Sequence, residues 1–388
     1  MNILVQLSHP AHFHLYKNAI KNWKEDGNEV YVLIKTKDIL EQLLQNSQIP
    51  YYNILPIAHR KNKWGILWDM FVRDWKIFWF CKKHHIDILT GSTPEVAHVS
   101  KVLGLYSVNT GEDDMAVVPA FAKATGPFMQ TLLSPIVCDN TPLEKHSVHY
   151  PSYHELAYLH PNHFVADKAV VDGYGIDTSK PYFILRFASL KAHHDDGIKG
   201  INTEIAQRLV DTLAPHGQIY ITSERELEPQ FELYRIRINP LDMHHVMAFA
   251  SLYIGDSQTM AAEAGVLGTP FVRFNDFVGR IGYLRELEDT YELGYGVHAS
   301  PLQEDSTIRL TNGQVQPSGT DAFYQAVEQL VAMPADERKA TFAARRERML
   351  SEKIDYAKYL TWFIENYPSS VTETRLNQHN QDFWEQFK

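Results

Sequence analysis

Cysteine is nearly absent: Cys81 and Cys138 are the only two in 388 residues, and they form no C-x-x-C pair. A disulfide scaffold and a thiolate zinc site are excluded on that ground, and a reducing compartment fits. Long apolar runs are missing as well. No stretch approaches the roughly 18–20 apolar residues that a membrane-spanning helix needs. Met1 to Leu7 carries no charged region ahead of its apolar residues, so it reads as a strand and not as an export signal. Positive charge is in deficit, with 37 Lys and Arg against 47 Asp and Glu and a net charge of −10, which argues against a nucleic-acid partner. No repeat of 20–50 residues recurs, so a solenoid is not expected. The expected location is the cytoplasm, including the inner face of the membrane as a peripheral site.

What is present is a globular mix, 44% hydrophobic and 22% charged. The length exceeds the roughly 250–300 residues that one core serves, so two domains are expected. Short apolar runs alternate with amphipathic ones. Strands are expected at 2–7, 29–34, 86–90 and 105–109, and again at 182–186, 218–222, 251–255 and 271–273. Helices are expected between them, among them 14–26, 38–45, 94–103, 203–214, 242–250 and 259–267. Strands spaced by helices imply parallel sheets built from right-handed crossovers. The fold class is therefore α/β, two Rossmann-like doubly wound domains facing a central cleft, with boundaries near 1–165 and 166–350. Residues 351–388 form a C-terminal helix and tail expected to pack back on the first domain, with little to bury beyond Phe383, Trp384 and Phe387. In such sheets ligands bind where the chain leaves the strands, so the loops after strands carry the argument.

The most informative loop lies in Met243–Arg273. A strand ending at Gly255 runs into Asp256-Ser257-Gln258-Thr259 and then a helix rich in small residues, closed by Gly268 and Pro270. Free N–H groups and the positive dipole end of such a helix suit phosphate oxygens. Ser257 and Thr259 add hydroxyls, and Glu263, one turn in, is placed to meet ribose hydroxyls. The plain alternative is an ordinary helix cap with alanines for packing.

This segment resembles the donor-binding motif of GT-B nucleotide-sugar proteins. The epimerases that interconvert UDP-N-acetylglucosamine and UDP-N-acetylmannosamine have a similar Asp-Ser-Gly-Gly-(x)3-Glu stretch followed by Leu-Gly-x-Pro; here it reads Asp256-Ser257-Gln258-Thr259, Glu263 and Leu267-Gly268-Thr269-Pro270. The first loop, Ser8-His9-Pro10-Ala11-His12-Phe13-His14, is similar to that of an uncharacterised prokaryotic GT-B-like family. The resemblance implies a GT-B-like fold, Ser257, Gln258 and Thr259 as phosphate contacts and Glu263 as the ribose contact. In the peptidoglycan N-acetylglucosaminyltransferase a glycine-rich loop ending in His stands at the first loop, and His12 is the matching residue. This chain has Ser8, His9, Pro10 and Ala11 in place of the glycines.

A histidine titrates near neutrality and can take a proton from an attacking hydroxyl, so His12 is the first candidate base and His14 the second. The alternative is that one histidine caps the helix while another packs in the core. After the strand ending at Asn109 come Glu112, Asp113 and Asp114, candidate acid/base or sugar-binding groups, with Glu112 first; complementing a helix dipole is their structural alternative. The epimerases have Gly-Asp-Thr after the preceding strand where this chain has Gly91-Ser92-Thr93, and losing that acid favours transfer over epimerisation. After the strand at 182–186, Arg186 and Lys191 are expected to neutralise a departing diphosphate, and by resemblance His193 or His194 falls near a sugar-phosphate histidine of the epimerases. His193-His194-Asp195-Asp196 lacks the spacing of a metal motif such as HExxH, so no metal is assigned.

Residues 59–85 are basic within an acidic chain and carry Trp64, Trp68, Trp75 and Trp79 at helical spacing. The stripe is expected to pack on the first sheet; the second reading is a peripheral membrane contact. Together these expectations describe a metal-independent glycosyltransferase of surface glycan or glycolipid synthesis. It needs no cofactor, takes a UDP-sugar donor and acts on a glycan or lipid-linked acceptor. The alternatives are a nucleotide-sugar 2-epimerase or hydrolase, and a silent sugar-nucleotide or glycan-binding protein.

Overall fold

The computed structural model describes residues 1–36, 39–55, 63–188, 199–223 and 225–388, and the chain divides into two compact units. The first comprises Met1–His163 together with Lys353–Lys388; the second is Phe164–Glu352.

The first unit is built on seven strands: β1 (Asn2–Leu7), β2 (Glu29–Lys35), β3 (Tyr52–Leu55), β4 (Ile88–Gly91), β5 (Tyr106–Thr110), β6 (Thr131–Pro135) and β7 (Ser147–Tyr150). They lie in the order β3-β2-β1-β4-β5-β6-β7, and every pairing is parallel. A parallel sheet is covered on both faces, which is why Ile3, Leu4, Val5 and Leu7 in β1 are all fully buried, with Gln6 between them nearly so. The order reverses between β1 and β4, where the sheet leaves a crevice at its carboxyl edge. Gly91 ends β4 at φ +151°, and a Cβ there would stand 2.5 Å from the Gln6 carbonyl oxygen, so only glycine lets β1 and β4 close at this point.

The second unit carries β8 (Tyr182–Phe187), β9 (Gln218–Ser223), β10 (Leu252–Gly255), β11 (Phe271–Phe274) and β12 (Gly294–Val297), ordered β12-β11-β10-β8-β9 and again wholly parallel. Phe183, Leu185 and Phe187 alternate into one core with Leu252, Ile254, Val272 and Phe274. The order reverses between β8 and β10.

Strands β3, β6, β7 and β12 are not among those expected from the sequence. Each has four or five residues, and β6 ends on Pro135 while β12 is Gly-Tyr-Gly-Val, so neither shows a clean apolar run. The first helix begins at Pro10 and not near His14, because proline suits the first turn and His9 caps it, its Nδ1 accepting from the Ala11 N–H at 3.2 Å.

The C-terminal segment rejoins the first unit through the helix Tyr356–Glu365, where Tyr356, Tyr359, Leu360, Phe363 and Ile364 are all fully buried. Trp23 donates to the Thr361 carbonyl at 3.3 Å, and Asn22 to the Thr361 hydroxyl at 3.1 Å. Phe383, Trp384 and Phe387 are buried too, packed on Tyr359 and Trp362.

The helix Lys63–His84 departs from the expected packing. Trp68, Phe71, Trp75 and Trp79 are 52–57% exposed. The face turned to the sheet carries Ile77 and Cys81 and a set of polar ties: Arg73 to Glu95, Asp74 to His98 at 3.0 Å, and the Lys76 Nζ to the Ile54 carbonyl at 2.7 Å. Among the described residues no helix is long and apolar enough to cross a membrane.

All seven tryptophans belong to the first unit, so their fluorescence follows that unit alone. Phe363→Ala is expected to lower its unfolding free energy by about 3–5 kcal/mol, the usual cost of emptying a filled aromatic site. Urea unfolding followed by tryptophan emission checks this; a loss below about 1 kcal/mol would mean the C-terminal helix is not part of that core.

Candidate functional site

At the carboxyl edge of the first sheet, four strand ends contribute side chains. From β4 and β5, Thr90 and Thr110 offer their hydroxyls to Tyr16 Oη at 2.9 and 3.0 Å, and Ser92 Oγ lies 2.8 Å from Thr110 Oγ1. Burial pushes the Tyr16 hydroxyl up to about 12, so the cluster is uncharged. Asn109 braces it, donating to the Thr93 carbonyl at 2.9 Å. Ser92 is one link in this neutral hydroxyl network.

The expected histidines separate into different roles. His9 is the helix cap. His12 sits half-buried in the first turn, and its Nδ1 accepts from the Ser8 N–H at 3.3 Å. That bond assigns the ring proton to Nε2. Burial, with His9, His154 and Lys35 nearby, holds His12 well below the usual histidine range, so it is neutral at neutral pH. His14 is in the second turn, 7% exposed, edge-on to Phe13 and tilted against Tyr158.

Glu112 follows β5 and meets a residue that the sequence reading passed over. His154, four residues beyond β7, gives its backbone N–H to Glu112 Oε2 at 3.2 Å and places Nδ1 at 3.3 Å from the same oxygen. The ring stacks on Tyr356, and its Nε2 is buried without a hydrogen-bond partner among the described residues. A carboxylate on Nδ1 leaves a lone pair on Nε2, the arrangement that orients a histidine for proton transfer. Burial pushes His154 down to about 3, so the ring is neutral. The only signal for it in the sequence was a segment crowded with His and Tyr, whose strands were not legible.

In the second unit, the helix Gln258–Leu267 starts where β10 ends. Ser257 is its cap, accepting from the Met260 N–H at 3.5 Å, and Ser257, Gln258 and Thr259 are all half-buried. The turn is set by Asp256, whose carboxylate accepts from the Ala188 N–H at 2.6 Å and the Ile201 N–H at 3.2 Å, joining β10 to the chain leaving β8. Asp276 fixes the neighbouring turn, accepting from the Lys199 and Ser300 N–H groups at 2.9 and 2.7 Å. Arg186 lies in the row Thr222, Arg186, Gly255, Arg273, Gly296 across β9, β8, β10, β11 and β12. A Cβ at Gly255 would stand 2.6 Å from Tyr253 Oη and 2.8 Å from the Arg186 carbonyl, so the row closes only around glycine. Arg273 in it is fully buried and paired with Glu288 at 2.8 Å.

Glu263 is 5% exposed and holds His244 Nε2 at 3.0 Å. The carboxylate that the resemblance assigns to a ribose is here the buried partner of a histidine. Lys191 and His193 lie outside the described residues. Arg225, which no motif marked, stands just past β9 with its guanidinium 5.4 Å from the Phe187 ring centre and bonded to Glu228 at 3.0 Å. The described residues bring no three His, Cys, Asp or Glu side chains together in a metal-binding group.

Solved structures with the same architecture span nearly the whole chain. S. aureus MnaA in a co-structure with UDP matches with a TM-score of 0.63 at 12% identity, over 96% of this chain and 97% of that one. The UDP-GlcNAc 2-epimerase from Neisseria meningitidis bound to UDP-GlcNAc matches at 0.59 and 12%, over 97% and 100%. The spinosyn rhamnosyltransferase SpnG complexed with spinosyn aglycone matches at 0.58 and 13%, over 94% and 100%. No protein-family model and no curated protein sequence matches the chain. The likeness is one of fold: the chain has the GT-B architecture of two Rossmann-like domains.

Asp256 makes the second unit's turn sensitive to pH. Burial outweighs its two N–H bonds and pushes its carboxyl up to about 6, against 3.8 for an ordinary Asp. Between those values the native state holds a proton that the unfolded chain has released, so stability falls as pH rises from about 4 to about 6. The two-unit shift corresponds to at most about 3 kcal/mol. Asp256→Asn does not titrate, so the difference between wild type and variant in urea unfolding should change over that window and be flat above it.

Proposed function

We propose that the chain is a metal-independent glycosyltransferase that takes a nucleotide diphosphate-sugar, UDP-linked, on its second unit. The observation that carries this reading is the half-buried helix start at Ser257, Gln258 and Thr259, set at the strand-order reversal of a parallel sheet with Arg186 on the neighbouring strand. Free N–H groups, hydroxyls and one guanidinium are what a diphosphate requires, and they supply the leaving-group stabilisation that a divalent ion gives in other sites. Lys191 and His193 belong to the same proposal by resemblance. Structures of like fold hold UDP and UDP-GlcNAc, which supports the donor class.

The acceptor hydroxyl, on a glycan or a lipid-linked sugar, attacks the anomeric carbon as the nucleoside diphosphate leaves. The first unit offers two groups for its proton. His12 keeps its ring proton on Nε2 while Nδ1 accepts from Ser8, so in this tautomer it donates, and acting as base would require it to give up the Ser8 bond. The Glu112–His154 pair has a lone pair on Nε2 that gives up no hydrogen bond, though burial makes the ring weakly basic until substrate engages it, so we assign the base to this pair and a hydrogen-bond donor role to His12. Epimerisation is the second reading, favoured by the fold shared with the UDP-GlcNAc 2-epimerase from Neisseria meningitidis. The neutral Ser92–Thr110 link, at the position where the resemblance places an acid in the epimerases, weighs against it.

Incubating the protein with a panel of nucleotide sugars, with and without cell lipid extract, and following products by mass spectrometry tests the reaction class. Transfer predicts UDP release only with extract, unaffected by EDTA; a new sugar isomer without extract would make the chain an epimerase. Loss on chelation, restored by magnesium or manganese, would overturn metal independence.

His154→Ala and Glu112→Gln are expected to cut turnover by about 10²–10⁴-fold with UDP affinity near normal in calorimetry. Arg186→Ala is expected to do the reverse first, weakening UDP binding by about 1.5–3 kcal/mol. If His12→Ala alone abolishes the acidic limb of the pH–rate profile, then His12 and not the Glu112–His154 pair is the base.

A further inference from the structure

The helix Lys63–His84 has its polarity reversed. At 100° per residue, Trp68, Phe71, Trp75 and Trp79 fall within about 80° of arc, and all four are more than half exposed. The opposite face holds Asp69, 8% exposed, the Arg73–Glu95 ion pair, Ile77 and Cys81. A helix held in place by buried charges while it presents three indoles and a phenyl ring to the outside has a use for that face. Lys82 lies in the same stripe, its Nζ 5.2 Å from the Phe78 ring centre, and Lys83 is exposed beside it. Over the helix, five Lys and Arg stand against two Asp, in a chain whose net charge is −10.

We propose that this face docks on an anionic lipid bilayer, its aromatic stripe lying at the headgroup level and Lys82 and Lys83 meeting lipid phosphates. Indole rings favour that boundary, where one side is apolar and the other wet. The local positive charge in an acidic protein complements a negatively charged surface. Size argues against a protein occupant. Among the described residues, four aromatic side chains of about 200 Å² each, just over half exposed, offer roughly 400–450 Å², against about 800 Å² per partner in a standard protein interface. The inference does not rest on the donor reading, since docking needs no nucleotide.

The test is co-sedimentation of the full chain with phosphatidylcholine vesicles made with and without phosphatidylglycerol. Wild type is expected to sediment with the phosphatidylglycerol vesicles and to be released by high salt. Trp75→Ser/Trp79→Ser removes only exposed rings and should keep the wild-type melting curve while lowering vesicle partitioning at least 10-fold. Lys82→Glu/Lys83→Glu should lower it on anionic vesicles specifically. Absence of wild-type binding to phosphatidylglycerol vesicles would overturn the proposal, as would full binding by the folded tryptophan variant. A wild-type dimer that the tryptophan variant converts to monomer, with no vesicle binding by either, would assign the face to a second copy of the chain.

Discussion

In a parallel sheet the chain leaves every strand at the same edge, and nearly everything chemical in this protein follows from that constraint. Residues far apart in sequence, Ser8 and His12 after β1, Ser92 after β4, Glu112 after β5 and His154 after β7, are delivered to one edge of the first sheet because each follows a strand of the same sense. The second sheet does the same for Arg186, Asp256 and Asp276. Where strand order reverses, neighbouring crossovers go to opposite faces and the edge opens. Gly91 and Gly255 stand at these two openings, each with a backbone or hydroxyl oxygen where a Cβ would be.

Polar groups buried at those edges are held by specific partners, and this gives the turns their shape. Asp256 spans two backbone N–H groups, and Asn275 in turn donates to the Asp256 carbonyl at 2.9 Å. Each bond satisfies a group that would otherwise cost free energy to bury. The carboxylate itself remains expensive, which is why its proton is held to about pH 6. In the first unit the same accounting produces a hydroxyl network without charge around Tyr16, next to histidines that burial keeps neutral.

The helix Lys63–His84 shows the opposite use of burial. Arg73, Asp74 and Lys76 are satisfied inward, by Glu95, His98 and the Ile54 carbonyl, so its aromatic residues need not be. Burial keeps Asp74 above the usual carboxylate range despite His98, while His98, against its own burial, is held above the usual histidine range by Asp74 and the Ala124 carbonyl. Hydrophobic spacing alone reports that a helix has two faces; it does not report which one turns inward when the polar face has buried partners waiting.

The sequence by itself determined the α/β class, the two parallel sheets and the helix start at Ser257, because these depend on local periodicity and on caps made within a few residues. The buried runs at Asn2–Leu7, Tyr182–Phe187 and Leu252–Gly255 were legible for that reason. What only the tertiary structure decided depends on partners distant along the chain. His154 meets Glu112 across 42 residues, and Glu263 is taken by His244 across a strand and a turn. Short strands such as Thr131–Pro135 and Gly294–Val297 exist because a paired neighbour supplies their hydrogen bonds, and the outward turn of Trp68, Phe71, Trp75 and Trp79 exists because Glu95 and His98 hold the other face. Such contacts leave no periodic trace, since the energy that fixes them is released only when the two distant segments meet.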